Sequence, residues 1–504
     1  MNFIWNLPLF TVVLSLFSGV VCMMLSPRAA RNYTIAYESV LVVMTGCVLG
    51  YTLKTGTSYT YPMGEFPAPW GNEIRFGCLE ALIALLFAVI LLCSITAGYH
   101  FIRKDIDESK INLYFSLINL MTAALMALAW TNDVFTGYVF LEILTLTSCG
   151  ILIVREIGRT TLAAARYMIL NLMGSGLFLM GIVLLYDISG HLLMVPMRHS
   201  MALVSQDQSS IPVISLAIGI MTVGIAIKSG LFPFYFWMPD TYGWATPASG
   251  SILSGLVTKA YIFLLFKILY RAIGIDVLEK TPVLKILFVL GIIGMIGGSV
   301  NAMRASNVNR MIAFSSAAQT GYIYMGLGLG TVAGFEAAIF QILAHAVTKS
   351  LLFLTVPYLA EVSGNRLKFH SLQGSGRRDP LAAHFFSIAS LSMIGIPIFA
   401  GFSTKLMFGQ AAVLGGIHWK ILVVLGALGI SSVLNAIYFI RTMIRIYNDP
   451  DTLDKDPYGS HPVTDRSRTG FFLAGMVLSL LNLFLGLFSW VVSDVIYRGL
   501  GMFL

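Results

Sequence analysis

Four lysines stand inside stretches of this chain that are otherwise apolar enough to span a lipid bilayer: Lys228, Lys259, Lys349 and Lys405. A charged side chain at the centre of a bilayer costs about 2.5–3.5 kcal/mol on insertion scales. Packing alone does not require that cost, and ionisable groups at this depth usually mark a path for protons or ions. The four lysines therefore predict that an ion passes through this protein.

One carboxylate is placed to neutralise a lysine of this kind. Glu142 stands in the apolar run GYVFLEIL at 137–144, and Lys228 is its natural partner, because each charge offsets the burial cost of the other. If Glu142 moves towards or away from Lys228, the lysine gains or loses a proton. A static ion pair that holds two helices together remains open as an alternative, although membrane helices usually associate through small residues.

Further ionisable groups offer sites between which a proton can move. Lys259 directly follows SGLVT at 254–258, while His345 and Lys349 are four residues apart and share one helix face. Imidazole titrates near neutral pH and passes protons, although a histidine in a membrane helix can also be a packing residue. We expect one polar row across the middle of the membrane, made of Glu142, Lys228, Lys259, His345, Lys349 and Lys405.

Four other carboxylates need separate interpretations. Asp133 and Glu336 lie at predicted helix starts, where a carboxylate favours the positive end of the helix dipole, so both are predicted to be caps. Glu38 and Glu80 lie in apolar segments near the N-terminus, away from the polar row. A contact between these two and a neighbouring subunit is an open alternative.

The composition places all these residues in a membrane. The chain has 504 residues, 57% hydrophobic and 11% charged, against roughly 25% charged in an ordinary soluble domain. The formal net charge of +8 comes from basic residues spread among short loops, with no basic stripe for nucleic acid. The five cysteines form no Cys-x-x-Cys pair, which predicts packing roles. We expect no cofactor in this chain, no metal site and no nucleic acid partner.

The elements that must position the polar row are membrane-spanning helices, each of which needs about 20 predominantly apolar residues. The sequence predicts an all-α polytopic membrane protein with about fourteen of them, the first being an anchor that is not cleaved. The predicted spans are 7–25, 33–53, 77–100, 111–130, 133–153, 162–186, 212–237, 246–270, 282–303, 310–330, 334–360, 381–413, 419–446 and 469–497.

The loop charges predict how these spans are oriented. Loops after odd-numbered spans hold nineteen Lys and Arg residues, and loops after even-numbered spans hold six. Cytoplasmic loops are enriched in Lys and Arg, so the odd loops are predicted to be cytoplasmic and both termini to be outside. The six residues of the even loops are Lys54, Arg75, Arg198, Arg271, Lys280 and Lys420.

An internal repeat relates two parts of the chain. VGIAIKSGL at 223–231 resembles IGIPIFAGF at 394–402, five spans later, and an odd number of spans inverts the second copy. Gly230 with Pro233, and Pro397 with Gly401, predict that spans 7 and 12 are broken, although Gly and Pro are also common in membrane helices generally. The predicted domains are 1–110 (spans 1–3), 111–272 (first repeat, spans 4–8), 273–446 (second repeat, spans 9–13) and 447–504 (a loop and span 14).

These motifs together resemble a known family. KSGLFPFYFWMPD at 228–240, SGLVTK at 254–259, NRMIAFSS at 309–316 and HAVTK at 345–349 are similar to the signature of the antiporter-like subunits. Respiratory complex I, Mrp-type cation/proton antiporters and energy-converting membrane-bound hydrogenases share such subunits. The resemblance covers about residues 110–446. It implies fourteen helices, two inverted five-helix repeats and proton translocation through half-channels joined at the midplane.

The resemblance also implies roles for individual residues. Glu142 and Lys228 would be the coupling pair, Lys259 and His345 the lateral relay, and Lys405 the terminal site towards the outside. Two positions depart from the pattern of the family. Many members have a second histidine where this chain has Gln341, and some have glutamate where this chain has Lys405.

We therefore expect a proton-translocating subunit of a larger complex in a bacterial or archaeal cell membrane. Its partners would be other membrane subunits, including antiporter-like paralogues, and a peripheral redox arm, because this chain has no flavin, nickel or cluster motif. A stand-alone secondary transporter for an organic cation or metabolite is the alternative, since inverted repeats and broken helices permit it. A passive anchor would leave the buried charges unexplained. Involvement of Na⁺ stays open.

Overall fold

A computed structural model describes residues 3–66, 71–448 and 468–503. The described chain is helical apart from one antiparallel hairpin of β1 (Tyr59–Pro62) and β2 (Glu73–Phe76), so the predicted all-α membrane fold is confirmed. The helices up to span 8 are α1 (Leu7–Met24), α2 (Pro27–Thr55), α3 (Cys78–Asp105), α4 (Ile111–Trp130), α5 (Val134–Ile153), α6 (Gly158–Ser189), α7 (Met194–Val204), α8 (Ile211–Ser229), α9 (Met238–Trp244), α10 (Pro247–Ile252) and α11 (Thr258–Lys267). Those that follow are α12 (Ile275–Glu279), α13 (Val283–Met303), α14 (Val308–Leu329), α15 (Val332–Glu361), α16 (Ser375–Arg378), α17 (Pro380–Ile394), α18 (Ala400–Leu414), α19 (His418–Tyr447), α20 (Thr469–Leu487) and α21 (Ser489–Gly501).

Within the described residues, twelve helices are long and apolar enough to cross a membrane. They coincide with all the predicted spans except the tenth and the twelfth. The tenth forms α14, which is less apolar, and the twelfth is divided between α17 and α18. The count of fourteen crossings therefore stays a prediction, while the multi-pass architecture is established.

Both predicted helix breaks are present. The seventh span stops where α8 ends at Ser229, because Gly230 adopts a φ of +67° and Pro233 follows. The twelfth stops at the end of α17, where Gly395 has a φ of +91°, and α18 begins at Ala400. Lys228 precedes its break and Lys405 follows its own. The inverted relation of the two halves and the domain boundaries at 110, 272 and 446 stay predictions.

Two spans lie at the centre of the molecule and carry half of the predicted row. The eighth span, Pro247–Ile273, is completely buried, as is α15 over the apolar part of its length. Lys259 lies on the former, and His345 and Lys349 lie on the latter. Span 8 contains two π-helical turns, Leu253–Val257 and Ile268–Ile273, which free backbone carbonyls and are frequent at functional sites.

The last predicted span is shorter than expected. The helix predicted over 469–497 ends at Leu487, and a second helix, α21, begins at Ser489. Between them Phe488 leaves the helical conformation, with a φ of −113° and a ψ of 35°. The buried residues of α21 recur at Val492, Ile496 and Leu500, while Asp494 and Arg498 are exposed. This amphipathic pattern explains why α21 packs on the protein with one face only.

One of the two predicted carboxylate caps is confirmed. Asp133 is the N-cap of α5, and its side chain accepts a hydrogen bond from the backbone N–H of Thr136. The prediction for Glu336 was wrong, because Thr331 caps α15 and accepts from the N–H of Gly334. Glu336 instead accepts a hydrogen bond from the hydroxyl of Ser493 in α21. A short helix that the sequence did not reveal therefore changes the role of this residue.

Glu80, whose role was open, forms a buried ion pair with Arg75. Both side chains are almost inaccessible, with exposed fractions of 0% and 1%. The carboxylate also accepts from the backbone N–H of Gly77 at 3.0 Å, and Arg75 donates to the carbonyl of Met502. The pair thus joins the hairpin, the start of α3 and the end of α21. Arg75 is therefore not the free loop charge that was assumed when the Lys and Arg residues of the loops were counted to predict the orientation.

Replacing Arg75 by alanine should lower the free energy of unfolding by about 3–5 kcal/mol, because it leaves the charge of Glu80 buried and unpaired. Thermal unfolding of the purified chain in detergent, followed by intrinsic fluorescence, measures the change. The matched control is Arg498→Ala, which removes an exposed pair with Asp494 at 2.8 Å and should cost no more than about 0.5 kcal/mol. Equal effects of the two substitutions would contradict the conclusion that Arg75 and Glu80 form a stabilising buried ion pair.

Candidate functional site

The predicted pair of Glu142 and Lys228 is present, with a third participant. Lys228 Nζ lies 3.9 Å from Glu142 Oε1 and donates a hydrogen bond of 2.8 Å to Thr145 Oγ1. The first distance is that of an ion pair and is too long for a hydrogen bond. Lys228 is fully buried, whereas the Glu142 side chain is 22% exposed. A small displacement of Glu142 is therefore enough to make or break a direct bond to the lysine.

Thr145 extends this pair towards the centre of the protein. Its hydroxyl is 3.0 Å from the hydroxyl of Tyr261, and the Lys228 ammonium lies 5.4 Å from the centroid of the Tyr261 ring. Tyr261 is on α11, two residues after Lys259. Sequence reasoning missed both residues. The spacing of three between Glu142 and Thr145 places them on one helix face, and this spacing was the available signal.

Lys259 is bound by the π-helical turn that precedes it. Its ammonium donates to the carbonyl of Ser254 and, at 3.1 Å, to the hydroxyl of Thr258. The Ser254 hydroxyl is 2.9 Å from that of Ser316 on α14. Within the described residues no carboxylate forms an ion pair with this lysine, so neutral oxygens are its bonding partners.

His345 and Lys349 occupy adjacent turns of α15 on one face, as predicted. Lys349 donates to the carbonyl of Ile312 at 3.1 Å and to the hydroxyl of Ser315. His345 is buried, and neither ring nitrogen has a hydrogen-bond partner in the described structure. Lys349 lies one helical turn away on the same face of α15. A buried histidine with two free nitrogens is placed to exchange a proton with a neighbouring group.

A small cavity continues the row from His345 to Lys405. Its volume is about 10 Å³, roughly the space that one water-sized sphere occupies. The side chains that border it are polar for the most part: Gln319, Gln341, His345, Thr348, Ser392, Thr404 and Lys405. Gln341, which stands where many family members have a second histidine, donates to the side chain of Gln319.

Lys405 binds the end of the broken twelfth span. Its ammonium donates to the carbonyl of Ile394 and lies 3.5 Å from that of Met393. These are the last carbonyls of α17, at the negative end of the helix dipole, which favours a cation. Gly395 permits the approach, because a Cβ atom at this position would lie 2.8 Å from Lys405 Nζ.

The contacts bring the six predicted residues together in two groups, with Glu142 and Lys228 in the first and the other four in the second. Lys228 is joined to Tyr261 through Thr145. Lys349 donates to Ser315 of α14, Ser254, whose carbonyl binds Lys259, contacts the adjacent Ser316, and the cavity is bordered by both His345 and Lys405. Their roles in moving a proton stay a prediction. Among the described residues, no group of three His, Cys, Asp or Glu side chains comes together as a metal site.

Sequence reasoning missed a second buried lysine on span 8. Lys267 is fully buried and donates to the carbonyl of Ala129 at 2.9 Å and to that of Thr131. Arg271, which the orientation count placed in a loop, is 5% exposed and donates to Asn132 Oδ1 at 2.7 Å. Lys267 is visible in the sequence eight residues after Lys259, but Lys259 alone was interpreted as a buried charge of this apolar run.

These features define a predominantly helical, multi-pass membrane protein with ionisable side chains on two broken helices and on the buried spans 8 and 11. The chain belongs to a particular family of this class. Residues 131–431 match the model of the NADH:quinone oxidoreductase/Mrp antiporter transmembrane family. The resemblance inferred from the motifs is thereby confirmed.

Similar proteins extend over nearly the whole chain. The NADH-quinone oxidoreductase subunit N of Desulforudis audaxviator is 30% identical over 448 residues, which cover 88% of this chain and 86% of that protein. A Na⁺/H⁺ antiporter subunit of Bacillus subtilis is 25% identical over 97% of this chain and 94% of its own length. A chain of the membrane-bound sulfane sulfur reductase, an archaeal respiratory membrane complex, has the same fold. Its TM-score is 0.86 at 24% identity, over 99% of this chain and 98% of that one.

Proposed function

We propose that this chain is a proton-translocating subunit of a larger membrane complex of the quinone oxidoreductase, Mrp antiporter or membrane-bound hydrogenase type. The observation that carries the proposal is the Glu142–Lys228 pair together with Lys259, His345, Lys349 and Lys405, which lie on the buried spans 8 and 11 and at the break of span 12. Ionisable groups at membrane depth that are brought together in this way are typical of proton relays.

The geometry supports a simple loading step. Lys228 has two alternative acceptors, the Glu142 carboxylate and the Thr145 hydroxyl. When Glu142 approaches, the ammonium is stabilised; when Glu142 retreats, the proton leaves through Thr145 and Tyr261. Moving one charge across the membrane involves about 2.3 kcal/mol per 100 mV, and a tenfold change in proton affinity is about 1.4 kcal/mol. One or two tenfold changes in the proton affinity of a buried lysine therefore match the free energy that is needed to move one charge across 100 mV.

The chain is expected to act with partners. No flavin, nickel or cluster motif occurs in its sequence, so the driving reaction, redox chemistry or cation exchange, takes place in other subunits. The names of the relatives, one a quinone oxidoreductase subunit and the other an antiporter subunit, describe parts of multisubunit assemblies and support this proposal. They do not support a stand-alone transporter for an organic cation or metabolite.

The finer topology is proposed on the same basis. Both termini lie outside, and residues 111–272 and 273–446 form the two inverted repeats. Burial of Arg75, Arg271 and Lys420 supports this orientation, because it removes three of the six basic residues that the sequence assigned to the even loops. Within the described chain, Arg378 is the one buried basic residue of the odd loops. Among the described residues, the bias of exposed Lys and Arg towards the odd loops is therefore steeper than the sequence suggests.

Purification of the tagged chain from its native host in a mild detergent tests the proposal. Mass spectrometry of the co-purifying proteins should identify other membrane subunits, including antiporter-like paralogues, together with a peripheral redox arm or the remaining subunits of a cation/proton antiporter. The control is the same tag on an unrelated multi-pass protein of that membrane. A chain that purifies alone and folded would contradict the proposal.

A further inference from the structure

Another buried carboxyl group, besides Glu80, lies far from the relay in sequence and outside the residues that match the family. Glu38 is on α2 with an exposed fraction of 0%, in a cluster formed by α1, α2 and α4. This burial does not fit the open alternative, in which Glu38 contacts a neighbouring protein of the complex. The residue faces the interior of its own chain.

Two hydrogen bonds hold α2 and α4 together at this point. The hydroxyl of Thr122 donates to Glu38 Oε1 at 2.7 Å, and one turn earlier Asn119 Nδ2 donates to Thr34 Oγ1 at 3.0 Å. Thr34 and Glu38 are four residues apart on α2, and Asn119 and Thr122 are three apart on α4, so each pair shares a helix face. The four side chains thus form two adjacent polar contacts inside the apolar core.

Two oxygen atoms of this cluster have no partner. Glu38 Oε2 and Asn119 Oδ1 are both buried, and neither accepts a hydrogen bond within the described structure. No basic side chain of the described residues forms an ion pair with Glu38, in contrast to Glu142 and Glu80. A carboxylate in this setting is strongly unfavourable unless a positive ion neutralises it.

The surroundings identify the chemical class of that ion. Every group that the cluster leaves free is an oxygen, which suits a proton or a hard monovalent cation such as Na⁺ and does not suit a soft metal. A proton on Glu38 has an acceptor in Thr122 Oγ1, 2.7 Å from Glu38 Oε1, because the hydroxyl can then donate its own proton to the carbonyl of Ile118 at 3.0 Å.

Among the described residues, no charged side chain of the neighbouring helices forms a hydrogen bond or an ion pair with Glu38. Cys22 of α1 lies 3.4 Å from Thr34 Oγ1, and Tyr33 and Tyr37 lie on α2 itself. On α4, Tyr114 is hydrogen-bonded to Ser249 of α10, and on α3, Glu80 is paired with Arg75.

Hydroxyl groups extend from the cluster along α1 and α2. The hydroxyls of Ser15 and Tyr37 are 2.6 Å apart, and those of Ser18 and Tyr33 are 3.1 Å apart. Both tyrosines are partly exposed at the outer surface of the helix pair. They place hydroxyl groups that are partly accessible from the surface on the same two helices as the cluster.

We propose that Glu38, with Asn119, Thr34 and Thr122, forms a second cation-binding site of this chain, separate from the relay, that binds and releases a proton or exchanges it for Na⁺. This site does not depend on the proposed function, because it needs no contact with Glu142 or Lys228. The competing explanation is a carboxylic acid that stays protonated permanently and only joins two helices.

Infrared difference spectroscopy of the purified complex in a lipid film separates these possibilities. The buffer is changed from acidic to alkaline pH in a choline salt, and then choline is replaced by Na⁺ at constant pH. The wild-type spectrum minus that of Glu38→Gln isolates the carbonyl stretch of a protonated Glu38. We expect this band to disappear reversibly at alkaline pH. Its loss in Na⁺ at constant pH would identify exchange for Na⁺, and its insensitivity to Na⁺ would identify a proton site.

Two results would overturn the proposal: a band that persists under every condition, or no Glu38 band at any pH. Glu108→Gln, at an exposed position, is the matched control and should leave the carbonyl band of Glu38 unchanged. If Glu38→Gln does not fold, Thr122→Val gives an independent measurement, since loss of the hydroxyl that contacts Glu38 Oε1 should shift the band while the carboxyl group remains. Lys228→Ala should leave the Glu38 band intact, so failure of the relay and failure of this site can be told apart.

Discussion

Replacing Lys228 by alanine should abolish proton movement by the assembled complex, to the level of membranes that lack it. Lys228 is fully buried and is the only lysine of the row with a carboxylate at ion-pair distance in the described structure. Without it, Glu142 has no cation to pair with, and Thr145 receives no proton from α8. Quenching of a pH-sensitive dye in inverted membrane vesicles, with the complex energised by its natural substrate, measures the effect.

Lys228→Arg distinguishes a proton carrier from a fixed charge. The guanidinium keeps the positive charge but does not release its proton under physiological conditions. We therefore expect this variant to be inactive as well, although it still pairs with Glu142. Lys285→Ala, which removes an exposed lysine of α13, is the matched control and should transport normally. Full activity of Lys228→Arg would mean that charge alone is required and would reject the loading step.

The sequence was sufficient to predict the parts of the site that carry a large free energy cost. Lys228, Lys259 and Lys349 were recognised because a buried ammonium is expensive and rare in an apolar run. The breaks at Gly230 and Gly395 were near positions that the Gly and Pro pattern indicated, since these residues change the backbone directly. Such signals act locally and can be read from one segment.

Contacts between segments could not be predicted in the same way. Thr145 and Tyr261 look like ordinary residues of membrane helices, and only the packing of α5 against α8 and α11 places them beside Lys228. Arg75 was assigned to a loop because the hairpin and α21, which together bury it, are not visible as apolar periodicity. The role of Glu336 depended on the same unpredicted helix.

Replacing Lys405 by glutamate should be as damaging as replacing it by alanine, even though some family members carry glutamate at this site. The ammonium of Lys405 donates to the carbonyl of Ile394 and faces the negative end of α17. A carboxylate there cannot donate, and it is repelled by the carbonyls and by the helix dipole. In this chain the backbone of the broken helix therefore requires a donor at position 405. We expect both variants to assemble but to lose proton movement in the vesicle assay.

Gln410→Ala, on the exposed side of the same helix α18, is the control for helix stability and should transport at the wild-type rate. Position 405 needs a hydrogen-bond donor for the carbonyl of Ile394 and a group that can gain and lose a proton. Lys405→Gln separates these two requirements, because its amide can still donate but does not titrate. This variant should be more stable to heat than Lys405→Glu and equally inactive. If Lys405→Glu transported protons, the terminal site would need only a titratable group, and the contact with α17 would be incidental to its function.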